Sequence, residues 1–129
     1  MNTRNKGEYA KLKVMLRAAE LGYVVSLPTT EVRYDVVLEK DGEFQRAQVK
    51  YADGQPGHAT DSVRLALYRR GRLYDGDEID VILVYLPRLD KICRFGPEVF
   101  HNKQILQIRY APAKSGQRQG CLMAEAYFW

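Results

Sequence analysis

The chain has 129 residues, enough for one domain that buries roughly two-thirds of its unfolded surface. A composition 46% hydrophobic and 28% charged excludes a disordered chain, and no run reaches the roughly 18 apolar residues of a membrane span. A net charge of +4 and a pI near 9.1 lean towards a polyanionic partner.

After a basic start, MNTRN, the spacing predicts a helix from Lys6 to about Leu21, capped by Thr3 or Asn5 and closed by Gly22. Its expected buried stripe is Tyr9, Leu12, Leu16 and Ala19, widened by Met15, with Glu8 at the N-terminal edge. As a bland feature, a first-turn Glu simply complements the helix dipole. Tyr23–Leu27 reads as a short strand stopped by Pro28. Tyr34–Tyr51 reads as a β-hairpin around Asp41-Gly42, the pair that a two-residue type I′ turn requires. Residues 52–61 form a loop with no periodicity. Val63, Leu65 and Leu67 alternate with Arg64, Ala66 and Tyr68 and predict a strand, followed by Arg69-Arg70-Gly71-Arg72 as a turn or a phosphate-contacting edge. Asp77–Leu86 is the most apolar stretch and the expected central strand. Lys91–Phe95 returns as its hairpin partner, and Pro97 opens a helical piece to about Lys103. Gln104–Tyr110 alternates again, with Ile105 out of step. Ala113–Gly120 is a basic loop, and Cys121–Trp129 an apolar tail that packs back on the body. The order predicts a mixed α/β (α+β) domain over residues 1–129, built on a central mixed sheet with an N-terminal helix and short flanking helices.

The hairpin register gathers polar groups. If Lys40 faces Glu43, counting back along both strands sets Asp35 opposite Gln48, and the strand's period of two keeps Lys50 on that same face. Val36, Leu38, Ala47 and Val49 fall on the other, core-facing side. A carboxylate, an amide and an ammonium on one face read either as solvated surface or as an active site mounted on a sheet. A three-residue loop would slip the register and separate Asp35 from Gln48.

Glu8 on the first helix, Asp35 at a strand start and Gln48-x-Lys50 on the partner strand resemble the PD-(D/E)XK nuclease superfamily. The stretches KGEYAKLKVMLRAAELGY, RYDVVLEKDGEFQRAQVKY, DEIDVILVYLPRLDKICRFGP and GCLMAEAYFW look like the branch that contains a group I intron homing endonuclease with QxK. The resemblance implies a restriction-endonuclease-like core and a metal-dependent DNA endonuclease, with Glu8, Asp35, Gln48 and Lys50 catalytic. Asp35, Glu8 and the Val49 carbonyl would hold Mg²⁺, with Mn²⁺ substituting, and Lys50 would orient water or stabilise developing charge. Gln48 departs from the acidic pattern and implies weaker metal binding. The partner would be double-stranded DNA, its phosphates contacted by Arg4, Lys6, Arg33, Arg64, Arg69, Arg70, Arg72, Lys114 and Arg118, with Gln55, His58 and the Arg64-bearing strand as candidates for base reading. One site per chain cuts one strand, so a homodimer or homotetramer is expected. Cys93 and Cys121 lack metal-ligand spacing, and no apolar signal core follows the basic start, which points to a cytoplasmic protein associated with the nucleoid when on DNA. A Holliday-junction resolvase, a catalytically decayed DNA-binding module and an interaction domain that binds no DNA are the rival readings.

Overall fold

The computed structural model describes residues 1–54, 61–111 and 122–129. The elements in order are α1 (Thr3–Glu20), β1 (Val24–Ser26), β2 (Val36–Lys40), β3 (Glu43–Tyr51), β4 (Ser62–Ala66), β5 (Tyr68–Arg69), β6 (Arg72–Leu73), β7 (Val81–Leu86), β8 (Lys91–Phe95), α2 (Pro97–Phe100), β9 (Ile105–Arg109) and β10 (Leu122–Met123), followed by a 3₁₀ turn over Ala124–Tyr127. Five strands form a mixed sheet in the order β1-β2-β3-β7-β8, in which only β3 and β7 run parallel. A second sheet has the order β10-β9-β4, and β5-β6 is a separate hairpin. This is the α+β architecture with a central mixed sheet and N-terminal helix that the sequence predicts.

The β2–β3 turn follows its sequence. Asp41 and Gly42 have φ of 54° and 81°, and Lys40 pairs with Glu43. The parallel β3–β7 junction is tied at its entrance by Arg46 and Asp80. Asp80 Oδ2 accepts from Arg46 N and Nε at 2.7 and 3.0 Å, and Asp80 N donates to Arg46 O at 2.9 Å. These bonds set Ala47 against Val81. The apolar run begins its strand at Val81 rather than Asp77, because Asp75 Oδ1 accepts the Asp77 and Glu78 N–H groups and closes a turn. Every residue of β7 is buried, as a strand covered on both faces requires.

The helix corrects two expectations. Asn2 caps it, its side chain accepting from Asn5 N at 2.8 Å, so neither Thr3 nor Asn5 serves as cap. The buried stripe is Ala10, Val14 and Ala18, whereas Leu12 and Leu16 are 61% and 60% exposed. Small side chains let α1 lie close on Val36, Leu38 and Ala47; the leucines would hold it off. The other sheet face packs on the second sheet, where Val63, Leu106 and Ile108 meet Ile82, Val84 and Phe95. The described part of the tail returns to the body, with Trp129 N donating to Ile92 O at 2.9 Å. No helix among the described residues is long and apolar enough to cross a membrane.

Candidate active site

The β2 ladder stops at Val36–Ala47, one residue short of Asp35. Asp35 N donates to Ala47 O at 2.8 Å, and Asp35 Oδ2 accepts from Val49 N at 2.8 Å. The carboxylate therefore replaces a backbone carbonyl as the ladder partner of β3, which fixes its position and leaves Oδ1 for another group. Alternation along β3 places Gln48 and Lys50 on the face opposite Ala47 and Val49. The predicted register and its polar trio are both present.

Gln48 is only 5% exposed. Its Nε2 makes one long contact to Val49 O at 3.5 Å, and its Oε1 is buried with no hydrogen-bond partner. A buried acceptor without a donor costs roughly 1–3 kcal/mol, a cost that a bound water or cation would offset. Burial pushes the Asp35 carboxyl above its ordinary range, opposed by the Val49 N–H and by the charges of Arg69, Lys11 and Lys50. Burial likewise pushes the Lys50 ammonium down, with Asp35 opposing and Arg69 and Arg33 reinforcing. The two groups are half-desolvated, and each favours the charged form of the other.

Tyr74 is a neighbour of Lys50 that the sequence does not disclose. It is fully buried, its hydroxyl has no partner, and its ring centre lies 4.9 Å from Lys50 Nζ and 4.5 Å from Arg33 Cζ. Burial raises its hydroxyl pKa, so it stays protonated. The ring holds Lys50 by a cation–π contact. It reaches the site from a segment with no motif, after the β5–β6 hairpin, and only the fold brings it to β3.

The remaining predicted residues divide by location. Glu8 is exposed on α1, and its carboxylate pairs with Lys11 Nζ at 3.3 Å. Lys11 is also among the charges that act on Asp35, while no hydrogen bond or ion pair among the described residues joins Glu8 to Asp35, Gln48 or Lys50. Among the described residues no group of three His, Cys, Asp or Glu is gathered for a metal. Arg33 faces inward: its guanidinium donates to the carbonyls of Arg69, Arg72 and Leu73 at 3.0, 3.1 and 2.7 Å. It anchors the β5–β6 hairpin. Arg70 and Arg72 on that hairpin pair with Glu31 and Glu78, and Arg69 lies 4.0 Å from Glu31. Lys6 Nζ pairs with Asp53 Oδ2 at 2.5 Å, and Arg4 is exposed at the start of α1. A cleft of about 730 Å³ opens beside Lys50 and is lined by Asp53, Ser62, Arg64 and Gln107. Gln55, His58, Lys114, Arg118 and Cys121 lie outside the described residues.

The donors at Asp35, Gln48 and Val49 are all oxygens, the set a hard divalent cation takes. The unpartnered Gln48 Oε1 is the observation that fits such an ion.

The model of the PD-(D/E)XK endonuclease family matches residues 1–129. Among solved structures, the bacterial homing endonuclease I-Ssp6803I is similar at a TM-score of 0.77 and 23% identity, over 98% of this chain and 86% of that one. Hjc of Archaeoglobus fulgidus, a Holliday junction resolvase from an archaeal hyperthermophile, is similar at a TM-score of 0.53 and 16% identity, over 94% of each chain. At those identities the likeness shows a shared fold. Comparison with curated proteins gives no match.

Proposed function

The chain belongs to the PD-(D/E)XK endonuclease family, and we propose that it is a divalent-metal-dependent DNA endonuclease of the sequence-specific homing type. The observation that carries the reading is the buried, unpartnered Gln48 Oε1 on the strand that also bears Lys50, beside the Asp35 carboxylate. Asp35, Gln48 Oε1 and the Val49 carbonyl would hold Mg²⁺, with Mn²⁺ able to substitute and Glu8 contributing through water. The bound ion supplies charge neutralisation at the phosphate and a water made nucleophilic near neutral pH.

The protein's own groups do the rest. Asp35 is fixed by the Val49 N–H, so its free oxygen has one direction. Lys50 is steered by the Tyr74 ring and has its ammonium poised by burial, which suits it to orient water or to stabilise the negative charge that develops on the phosphate. Exposed Arg4 and Arg70, together with Arg64 in the cleft, supply phosphate or base contacts. One such site cuts one strand, so a double-strand break calls for a homodimer or homotetramer on a near-palindromic target.

The test is incubation with Mg²⁺ and a randomised duplex library, followed by sequencing of the ends. Cleavage at a defined motif, abolished by Asp35→Ala, supports the reading. Cutting restricted to four-way junctions would instead make the protein a resolvase, a second reading prompted by the weaker fold likeness to Hjc. Duplex binding with no cutting under Mg²⁺ or Mn²⁺ would make it a binding module.

A further inference from the structure

The antiparallel pair β4–β9 presents one face to solvent and one to the core. Val63, Leu106 and Ile108 point inward and are buried. The opposite face carries Ser62 against Arg109, Arg64 against Gln107 and Ala66 against Ile105. Among the described residues that face has no carboxylate. At its middle, Arg64 is exposed, and no ion pair engages it among the described residues. Its directly opposed neighbour, Gln107, has its Nε2 held by Ser62 Oγ at 3.3 Å. Arg109 Nε is engaged at the strand end by Ala111 O at 3.0 Å.

We infer that this ribbon is a major-groove reader, with Arg64 taking a guanine and Gln107 an adjacent adenine. The inference rests on the nuclease reading above. The major groove, about 12 Å wide, admits a two-stranded ribbon, and its base edges offer guanine O6/N7 to a guanidinium and adenine N6/N7 to a carboxamide. Opposed side chains on a ribbon have Cβ atoms about 4.5–5.5 Å apart, a spacing that suits neighbouring base pairs. The location is right as well: Arg64, Gln107 and Ser62 line the same cleft as Lys50, so a phosphate at Lys50 brings its duplex against this face. Burial of the inner face holds the ribbon as a rigid platform. Phosphate binding alone would be served by any exposed lysine or arginine; the ordered carboxamide opposite the guanidinium is what adds a base-reading pair.

The experiment compares the wild type with Arg64→Ala, Arg64→Lys and Gln107→Ala. Each is incubated with a randomised duplex library, once in Ca²⁺ to collect bound sequences and once in Mg²⁺ to collect cut ends. Melting curves confirm that each variant folds. The expected result is a drop in base preference of about 10- to 100-fold at one guanine for Arg64→Ala and at a neighbouring adenine for Gln107→Ala, with other positions retained. Arg64→Lys should retain duplex affinity and lose most of the guanine preference, because an ammonium lacks the bidentate fork. Two results overturn the inference: an unchanged sequence profile, or a uniform loss of affinity with a salt slope shallower by about one, the signature of a phosphate contact. If the wild type binds a defined motif and never cuts, the nuclease reading fails while the bound profile still decides the ribbon. If the wild type binds no duplex, both fall.

Discussion

Asp35→Asn separates structure from chemistry at one residue. Asp35 Oδ2 accepts the Val49 N–H at 2.8 Å, and an asparagine oxygen can accept it equally. Asp35→Ala cannot, and it strands a backbone donor in a buried strand at a cost of about 1–3 kcal/mol. For a domain of this size each kcal/mol moves the melting temperature by roughly 3–5 °C, so the alanine variant should melt about 3–15 °C low. Burial raises the Asp35 pKa, so the protonated carboxyl's contribution to stability is complete below 3.8 and is lost as pH rises through the raised folded value. Without metal, the asparagine variant should therefore match the wild type in acid and equal or exceed it at pH 7. Magnesium should reverse the ranking. A free ion at a hundredfold excess over its Kd adds about 2.7 kcal/mol to a protein that holds it, roughly 8–14 °C here. The assay is thermal unfolding in EDTA and in Mg²⁺, beside a cleavage reaction. The wild type should shift with Mg²⁺; Asp35→Asn should neither shift nor cut. An asparagine variant that keeps the Mg²⁺ shift, or that melts as low as the alanine variant in EDTA, refutes the reasoning.

Four further substitutions, at Gln48, Lys50 and Asp80, test the site and the junction that sets its strand. Gln48→Leu removes the unpartnered acceptor and should raise the melting temperature in EDTA while abolishing the Mg²⁺ shift; Gln48→Glu should melt lower in EDTA, because it buries a carboxylate, and recover with Mg²⁺. Lys50→Met keeps a stem over Tyr74 without the charge that burial disfavours, so it should melt higher at pH 7 and lose cleavage; the gain should vanish above pH 10.5, where the unfolded lysine is also neutral, as melting curves across that range would show. Asp80 is held below the usual carboxylate range by Arg46, so the stability it contributes is present above pH 3.8 and lost as pH falls through its lowered folded value. Asp80→Ala should cost about 1–3 kcal/mol in urea unfolding at pH 7, chiefly through the stranded Arg46 donors, and the gap should narrow in acid.

What could be read ahead of the fold was local. Asp41-Gly42 specifies its turn through the positive φ both residues adopt, and the turn then dictates which residues share a face, so the Asp35, Gln48 and Lys50 cluster follows from a dipeptide and a period of two. Helix α1 shows the limit. Two stripes with helical spacing compete on it, and a reading by hydrophobic size selects Leu12 and Leu16. The sheet instead selects Ala10, Val14 and Ala18, because close approach rewards small side chains. Tyr74 and Gln107 were illegible for another reason. Each matters through a partner distant in the chain, Lys50 for one and Arg64 for the other, and strand pairing between remote segments leaves no local signature. The inward turn of Arg33 is likewise set by carbonyls on a hairpin it meets only after folding.

Among the described residues the two sheets share no hydrogen-bonded strand, so the proposed scissors and template sit on separate mounts. A mutation on the outer face of β4–β9 leaves untouched the Arg46–Asp80 tie that sets β3 against β7. On the proposed function, such a division would let a lineage wander to new targets one base pair at a time while its cutting machinery stands still.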